Sequence, residues 1–303
     1  KKLLLLPLPL TFALGAVAKP KKVVMIAGRQ SHGPLSHEHK AGIMLLAKCL
    51  QENAGDLVAP TVVLNGWPKD NNVFRDVAAV VIYSDGGGRH PALGGNNLEM
   101  LGRMMEEGVG FLTIHYAVEP TTNKGNKEFI AWQGGCFETH WSVNPHWVAN
   151  FKKLPKHPIT RGVKPFKAND EWYFHMRFAP GMKGVTPILS DVAPKETMRR
   201  GNGAHSGNEH VRKSVAAGDL QHVAWAFERP NGGRGFGFTG GHNHLNWGND
   251  DFRKTVLNAI VWVSKAEVPA NGVPSKVSEQ DLYANLDNKG RRPKPRSNPG
   301  PQA

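Results

Sequence analysis

Cysteine is nearly absent: 303 residues hold two, Cys49 and Cys136. Two cysteines are not a disulfide framework, so a packed core must supply the stability. They can make one bridge or remain two free thiols. Beyond residue 18 no apolar run is long enough to span a bilayer. No stretch packs like charges densely enough to track a nucleic-acid backbone, although the formal net charge is +13. The surplus is spread out, and seven Lys or Arg against four acids lie from Lys265 onward. Nucleic acid is therefore not expected as a partner. A strand-to-helix elbow bearing Ser or Cys between glycines is also missing, which argues against acyl transfer by such a nucleophile. The run Gly86-Gly87-Gly88 stands outside any dinucleotide fingerprint, and no nucleotide cofactor is expected.

The chain opens "KKLLLLPLPLTFALGAVAKP". Two lysines, an apolar run and small residues at Ala16-Val17-Ala18 read as a secretory signal peptide over residues 1–18. A retained amphipathic anchor is the alternative. The expected location is periplasmic or extracellular, with no integral membrane segment after cleavage.

From residue 19 onward the chain is apolar at regular intervals, with turn residues between. Residues 21–28, 60–65, 76–84 and 108–116 are short runs rich in β-branched residues and read as strands. Between them, residues 37–53 (with Ser36 as cap) and 96–108 carry helical spacing. The order β-α-β-β-α-β with continuously apolar strands predicts a mostly parallel sheet covered on both faces. The second half adds a helix over 126–135 and strands over 170–178, 184–190, 222–228 and 236–241. It closes on an amphipathic helix over 251–265, with Asn249 or Asp250 as cap. Residues 196–219 show no pattern and are expected to be a surface insertion. Residues 269–303 are basic and Pro-rich and are expected to be disordered. The folded unit is thus residues 19–268.

In a doubly wound sheet, ligands sit beyond the C-terminal ends of the strands. Fourteen histidines are present, and four groups stand near such ends or in polar loops: His32 with His37, His115, His140 with His146, and His242 with His244. Imidazoles gathered there can bind a metal, carry protons or hydrogen-bond sugar hydroxyls; otherwise they form a buried network that holds loops together. His39, His90, His157, His205, His210 and His222 show no partner and are read as structural or surface residues. Among the acids, Asp170-Glu171, Glu138 and Glu119 lie where they can orient an imidazole. A strand-entry turn explains Asp170-Glu171 equally well. Cys136 lacks a motif that would activate a thiolate.

"HGPLSHEH", "GVGFLTIHYA", "GGCFETHW", "HPITRGVKPFKANDEWY" and "GFGFTGGHNHLNWGNDDFRKTVLNAIVWVS" occur in that order and together resemble the ThuA-like (trehalose utilisation) family. The resemblance spans about residues 21 to 265 and implies a flavodoxin-like fold of the class I glutamine amidotransferase type, without that group's cysteine. His115 stands where the cysteine would. It also implies a role in carbohydrate metabolism, with sugars or keto-sugars as substrate class. His115, His242 and the Asp170-Glu171 pair match the family's recurrent polar positions, with His32 and His244 as secondary matches. The 196–219 segment and the basic tail depart from a minimal member.

The expected catalytic set is His115, His242, Glu171 and Asp170, acting by general acid–base chemistry on a small sugar or oligosaccharide. His32, His140, Trp172, His244 and Trp247 are expected substrate contacts. A divalent metal, where one is used, would sit on His32, His115 and His242. The rival is a non-catalytic carbohydrate-binding module relying on Trp141, Trp147, Trp172 and Trp247. Glutamine amide hydrolysis is disfavoured by the missing elbow cysteine.

Overall fold

A computed structural model describes residues 19–290. The expected signal peptide and residues 291–303 of the tail lie outside it. In chain order the elements are β1 (Lys21–Ala27), α1 (His39–Ala54), β2 (Val58–Val63), β3 (Val77–Tyr83), α2 (Asn97–Glu106) and β4 (Gly110–Ile114). Next come α3 (Asn126–Gln133), β5 (Gly135–Cys136), β6 (Trp147–Phe151), β7 (Phe166–Asp170), β8 (Arg177–Phe178) and β9 (Val185–Val192). The chain continues through α4 (Glu209–Ala217), β10 (Leu220–Glu228), β11 (Arg234–Phe238), α5 (Asp250–Val263) and α6 (Glu279–Tyr283).

Seven strands form one sheet in the order β2-β1-β3-β4-β11-β10-β9. All neighbours from β2 to β11 are parallel, and only β10 runs against its two neighbours. Side chains of a strand alternate between faces, and both faces are covered. Val23, Met25, Val81 and Leu112 pack with Ile43, Leu46, Val256 and Ile260 of α1 and α5. Val24, Ile26, Val80 and Phe111 pack with Leu101, Met105, Phe129 and Trp132 of α2 and α3. This two-sided cover is why these strands read as unbroken apolar runs. The fold is α/β and flavodoxin-like, as expected. Cys49 and Cys136 are both free and buried in these two separate packing layers.

Four local expectations are corrected. Residues 171–176 leave the ladder: the strand ends at Asp170, after which Phe174 makes a single bridge to Val143 and Arg177–Phe178 pairs with β5. Trp172, Tyr173 and Phe174 are all buried, and burial rather than a continuous strand accounts for the aromatic run. Helix α1 starts at His39 behind Glu38, and Ser36 instead forms a bridge to Asn243. The 196–219 segment contains α4, capped by Asn208, whose Val211 and Val215 join the core. Residues 269–290 are ordered against the domain. Val273 is fully buried, α6 lies over α1, and the Lys289 ammonium reaches the carbonyls of Ser36 and His37. A segment too polar to build its own core can still lie on one already built, through a few anchors and backbone hydrogen bonds. Asn249 caps α5 as expected, accepting from the amides of Asp251 and Phe252.

Candidate functional site

The C-terminal ends of β1, β3, β4 and β11 lie side by side, and each is followed by a loop bearing a polar side chain. After β1 comes His37, after β3 Asp85, after β4 His115 and after β11 His242. The strand order changes direction at β1/β3, where an α/β sheet opens its crevice. Glu171 enters from the end of β7, on the ribbon beside the sheet.

These side chains meet. His37 Nε2 lies 3.1 Å from His115 Nε2 and 3.0 Å from His242 Nδ1. Glu171 Oε2 lies 3.0 Å from His242 Nδ1 and 3.5 Å from His115 Nε2. The outward nitrogens are also held: His37 Nδ1 faces Asp85 Oδ1 at 3.1 Å, and His115 Nδ1 faces the Thr239 carbonyl at 2.9 Å. Asn144 donates to the other oxygen of Glu171 at 3.1 Å and is itself held by Arg200. His37 and His115 are buried, while His242 and Glu171 are about one-eighth exposed. The group is thus a buried floor with an open edge. On that edge His32 stacks on His37 with ring centroids 3.5 Å apart. His146, half-exposed, stands edge-on to His242.

Backbone geometry shows how tightly the group is fixed. His32, His37 and His115 all have positive φ, at 56°, 48° and 57°. Non-glycine residues rarely take this conformation, and packing must hold them there. At His115 it is the sharp strand-end elbow at which a nucleophile sits in related architectures; here it presents an imidazole. The His242 turn is built differently. Gly241 has φ of 110°, and a Cβ on Gly240 would stand 2.5 Å from Trp172, so both positions require glycine.

Charge follows geometry. Burial pulls the His37 pKa far down, and the neighbouring imidazoles of His115, His32 and His39 add to this, so the ring is neutral. Burial would lower His115 too, but the Glu171 carboxylate outweighs it and raises the pKa. Glu171 is pushed up by burial, and its contacts with His115 and His242 more than reverse this, holding it below the usual carboxylate range.

Several expected site residues have other places. Asp170 is buried and accepts from the amides of Gly241 at 2.7 Å and Asn243 at 3.0 Å and from the Asn246 side chain at 3.0 Å. It shapes the turn that delivers His242 and does not face the open edge. His244 is buried with Nε2 on the Leu282 carbonyl at 2.8 Å, so it secures the C-terminal segment. Trp172 packs among Phe151, Phe238 and Phe252, and Trp247 against Tyr83, Phe238 and Phe252; both are fully buried and unavailable to a sugar. His140 is exposed, and its ring is not among the converging groups. Trp147 is buried, and Trp141 carries the Arg177 guanidinium on its face. Cys136 is buried, and burial pushes its thiol well above the ordinary range.

Two members of the site are not in the expected sets. Asp85 lies in the glycine-rich loop after β3, and His37 shares a loop with His32. The strand-end rule groups His37 with His32, and applied to every polar residue it also finds Asp85. His205, expected to lack a partner, pairs with buried Glu119 at 2.9 Å. No sequence signal joins residues 86 positions apart.

The model of the ThuA family, described as trehalose utilisation, matches residues 23–263. The chain belongs to the ThuA family. Among solved structures, it is similar to a ThuA-like protein from Bacteroides uniformis, at 16% identity and a TM-score of 0.54, over 85% of this chain and 95% of that one. A second ThuA-like protein, from Parabacteroides merdae, aligns at 17% identity and a TM-score of 0.52, over 86% and 94% of the two chains. No curated protein matches. The converging His37, His115, His242 and Glu171 lie within the span matched by the ThuA model, and the docked segment beyond residue 268 lies outside it. Among the described residues, no helix is long and apolar enough to cross a membrane.

Proposed function

We propose that this ThuA-family chain is an exported enzyme that moves a proton on a sugar or keto-sugar, with Glu171 and His242 at the reacting edge. The observation that carries the reading is one carboxylate oxygen shared by two imidazoles at the open side of a buried floor. A carboxylate held this way is ionised and fixed in direction, so it orients and polarises the His242 imidazole that carries the proton at the open edge. His115 behind it, whose pKa that carboxylate raises, can take up or return the charge. His146 and His32, both partly exposed, stand where a substrate hydroxyl would arrive. Proton abstraction beside a carbonyl and acid–base-assisted hydrolysis both use these groups.

A polar cavity of about 610 Å³ lies on the Asp85 side of the group; Asp85, Arg29, Asn65, Trp67, Arg89 and Asn97 line it, while Glu171 and His242 do not. That volume lies within the range of small-molecule sites. Trp67 is partly exposed there and is a better candidate for stacking on a sugar ring than the buried tryptophans. The binding-module alternative loses its proposed platform with Trp172, Trp247 and Trp147 buried. The family's description, trehalose utilisation, favours the same substrate class.

The test is a panel of glycosides and 3-keto-glycosides, followed by NMR in deuterated water. The expected result is deuterium incorporation or bond cleavage that is lost in Glu171→Gln and His242→Ala. Ligand binding with no turnover in the parent chain would favour the binding module and end the enzymatic reading.

A further inference from the structure

The inward-facing atoms of the floor are all of one kind. His115 has its Nδ1 on the Thr239 carbonyl, which can only accept, so Nδ1 carries the proton. His37 has its Nδ1 on the Asp85 carboxylate, which likewise fixes the proton there. In the neutral rings, both Nε2 atoms then present lone pairs, and these face each other at 3.1 Å. Glu171 Oε2 adds a third acceptor, and His242 Nδ1 can supply at most one proton to the group. Two of these residues are wholly buried, so bulk water does not screen the repulsion. Something positive belongs between them.

We propose that His37, His115, His242 and Glu171 hold a divalent transition metal of the zinc type. Four ligand atoms at zinc distances of about 2.0–2.1 Å in a tetrahedron stand about 3.3–3.4 Å apart. The contacts here are 3.0, 3.1, 3.0 and 3.5 Å, and all four atoms lie within 4.8 Å of one another. The outer contacts also match. Metal-binding imidazoles give their remaining N–H to a carboxylate or a backbone carbonyl, which fixes the tautomer; Asp85 and Thr239 do this here. Three nitrogens and one carboxylate favour zinc, cobalt, nickel or iron over magnesium or calcium, which prefer all-oxygen sites. Asp85 is thus a positioning residue, not a ligand. His32, expected as a ligand from the sequence, stacks on His37 and lies toward solvent. Glu171 is either the fourth ligand or, displaced by an incoming substrate oxygen, free to carry the proton. Metal binding by this set does not depend on what the substrate is.

The test uses the untagged full chain, stripped with chelator and then titrated with Zn²⁺ by calorimetry and with Co²⁺ by visible absorption. The expected result is one ion per chain, with the intense cobalt bands of a four- or five-coordinate nitrogen-rich site. His37→Ala and His242→Ala should each weaken binding at least tenfold. Asp85→Asn should weaken it about 10- to 100-fold by loosening the hydrogen bond that orients His37. His210→Ala, on an exposed histidine away from the group, should change nothing. Thermal melts of the stripped variants show whether each is folded, and Glu171→Gln gives a shape-conserving check should an alanine variant fail. Absence of stoichiometric uptake, or uptake indifferent to these substitutions, would overturn the proposal and leave a shared proton as the group's only cation.

Discussion

Histidines at the rim of the sheet and histidines buried elsewhere in this protein are surrounded in opposite ways. His90 is buried beneath the β3 loop, with Nε2 on the Ala117 carbonyl at 3.0 Å and Nδ1 accepting from the Ala92 amide at 3.1 Å. Its needs are met by backbone alone. His244 is anchored to the backbone through one nitrogen, Nε2, on the Leu282 carbonyl. His37, His115 and His242 instead point their nitrogens at one another and at Glu171. A buried imidazole satisfied by backbone holds structure. Imidazoles aimed at a common point, with His37 and His115 fixed from behind, form the arrangement expected of a site that carries chemistry.

The sharpest way to break this contrast is at the open edge. Glu171→Gln and His242→Ala should lower turnover of a responsive substrate by about 10²- to 10⁴-fold, the usual worth of a positioned acid or base. His244→Ala, two residues from His242, should leave the chemical step within a few-fold of the parent. Equal losses in His242→Ala and His244→Ala would erase the distinction.

Next in size is the core behind the turn. Trp172→Ala empties a fully buried site that touches Gly240 and Phe238, and should cost about 3–5 kcal/mol in a urea unfolding curve. Were Trp172 a sugar platform instead, stability would hold and ligand affinity would fall.

A buried structural histidine should also reveal itself with pH. Burial lowers His90 from 6.5 to about 4, so its folded pKa lies below the unfolded one. Protonation then favours the unfolded chain. The contribution of this group is complete above about pH 6.5 and is lost as pH falls toward 4, at about 1.4 kcal/mol per pH unit. Unfolding curves between pH 7 and pH 4 read this directly, and His90→Gln should flatten the slope by that one group's share.

The smallest expected effect is at the C-terminal segment. Removing the His244 side chain takes away one hydrogen bond to Leu282, worth about 1 kcal/mol. Hydrogen exchange should then rise in residues 279–290 and stay unchanged at β1 and β4.

Much of the fold was legible because the strands are covered on both faces, and that cover writes itself as unbroken apolar runs. The site was legible to the extent that it obeys the strand-end rule, which singled out His115 and His242. The same rule placed His37 among the candidate groups beside His32 and, applied to every polar residue, also finds Asp85. Trp172 and Trp247 misled because an aromatic beside a polar motif looks alike whether it lines a pocket or fills a core. The C-terminal segment misled because composition reports whether a stretch can fold alone, not whether a surface awaits it.

The amino-acid order by itself determined the alternation of apolar strands and amphipathic helices, and with it the α/β class and the edge where ligands belong. It also set two histidines into "GGHNH". Tertiary structure decided what those two do. Residues two apart share a side only in extended backbone, and here the chain turns at Gly241 and enters a short 3₁₀ helix at His244. Asp170, 71 positions before Gly241, holds the turn in place. His242 therefore faces the site and His244 faces away, because a side chain's direction depends on a backbone path that distant residues hold.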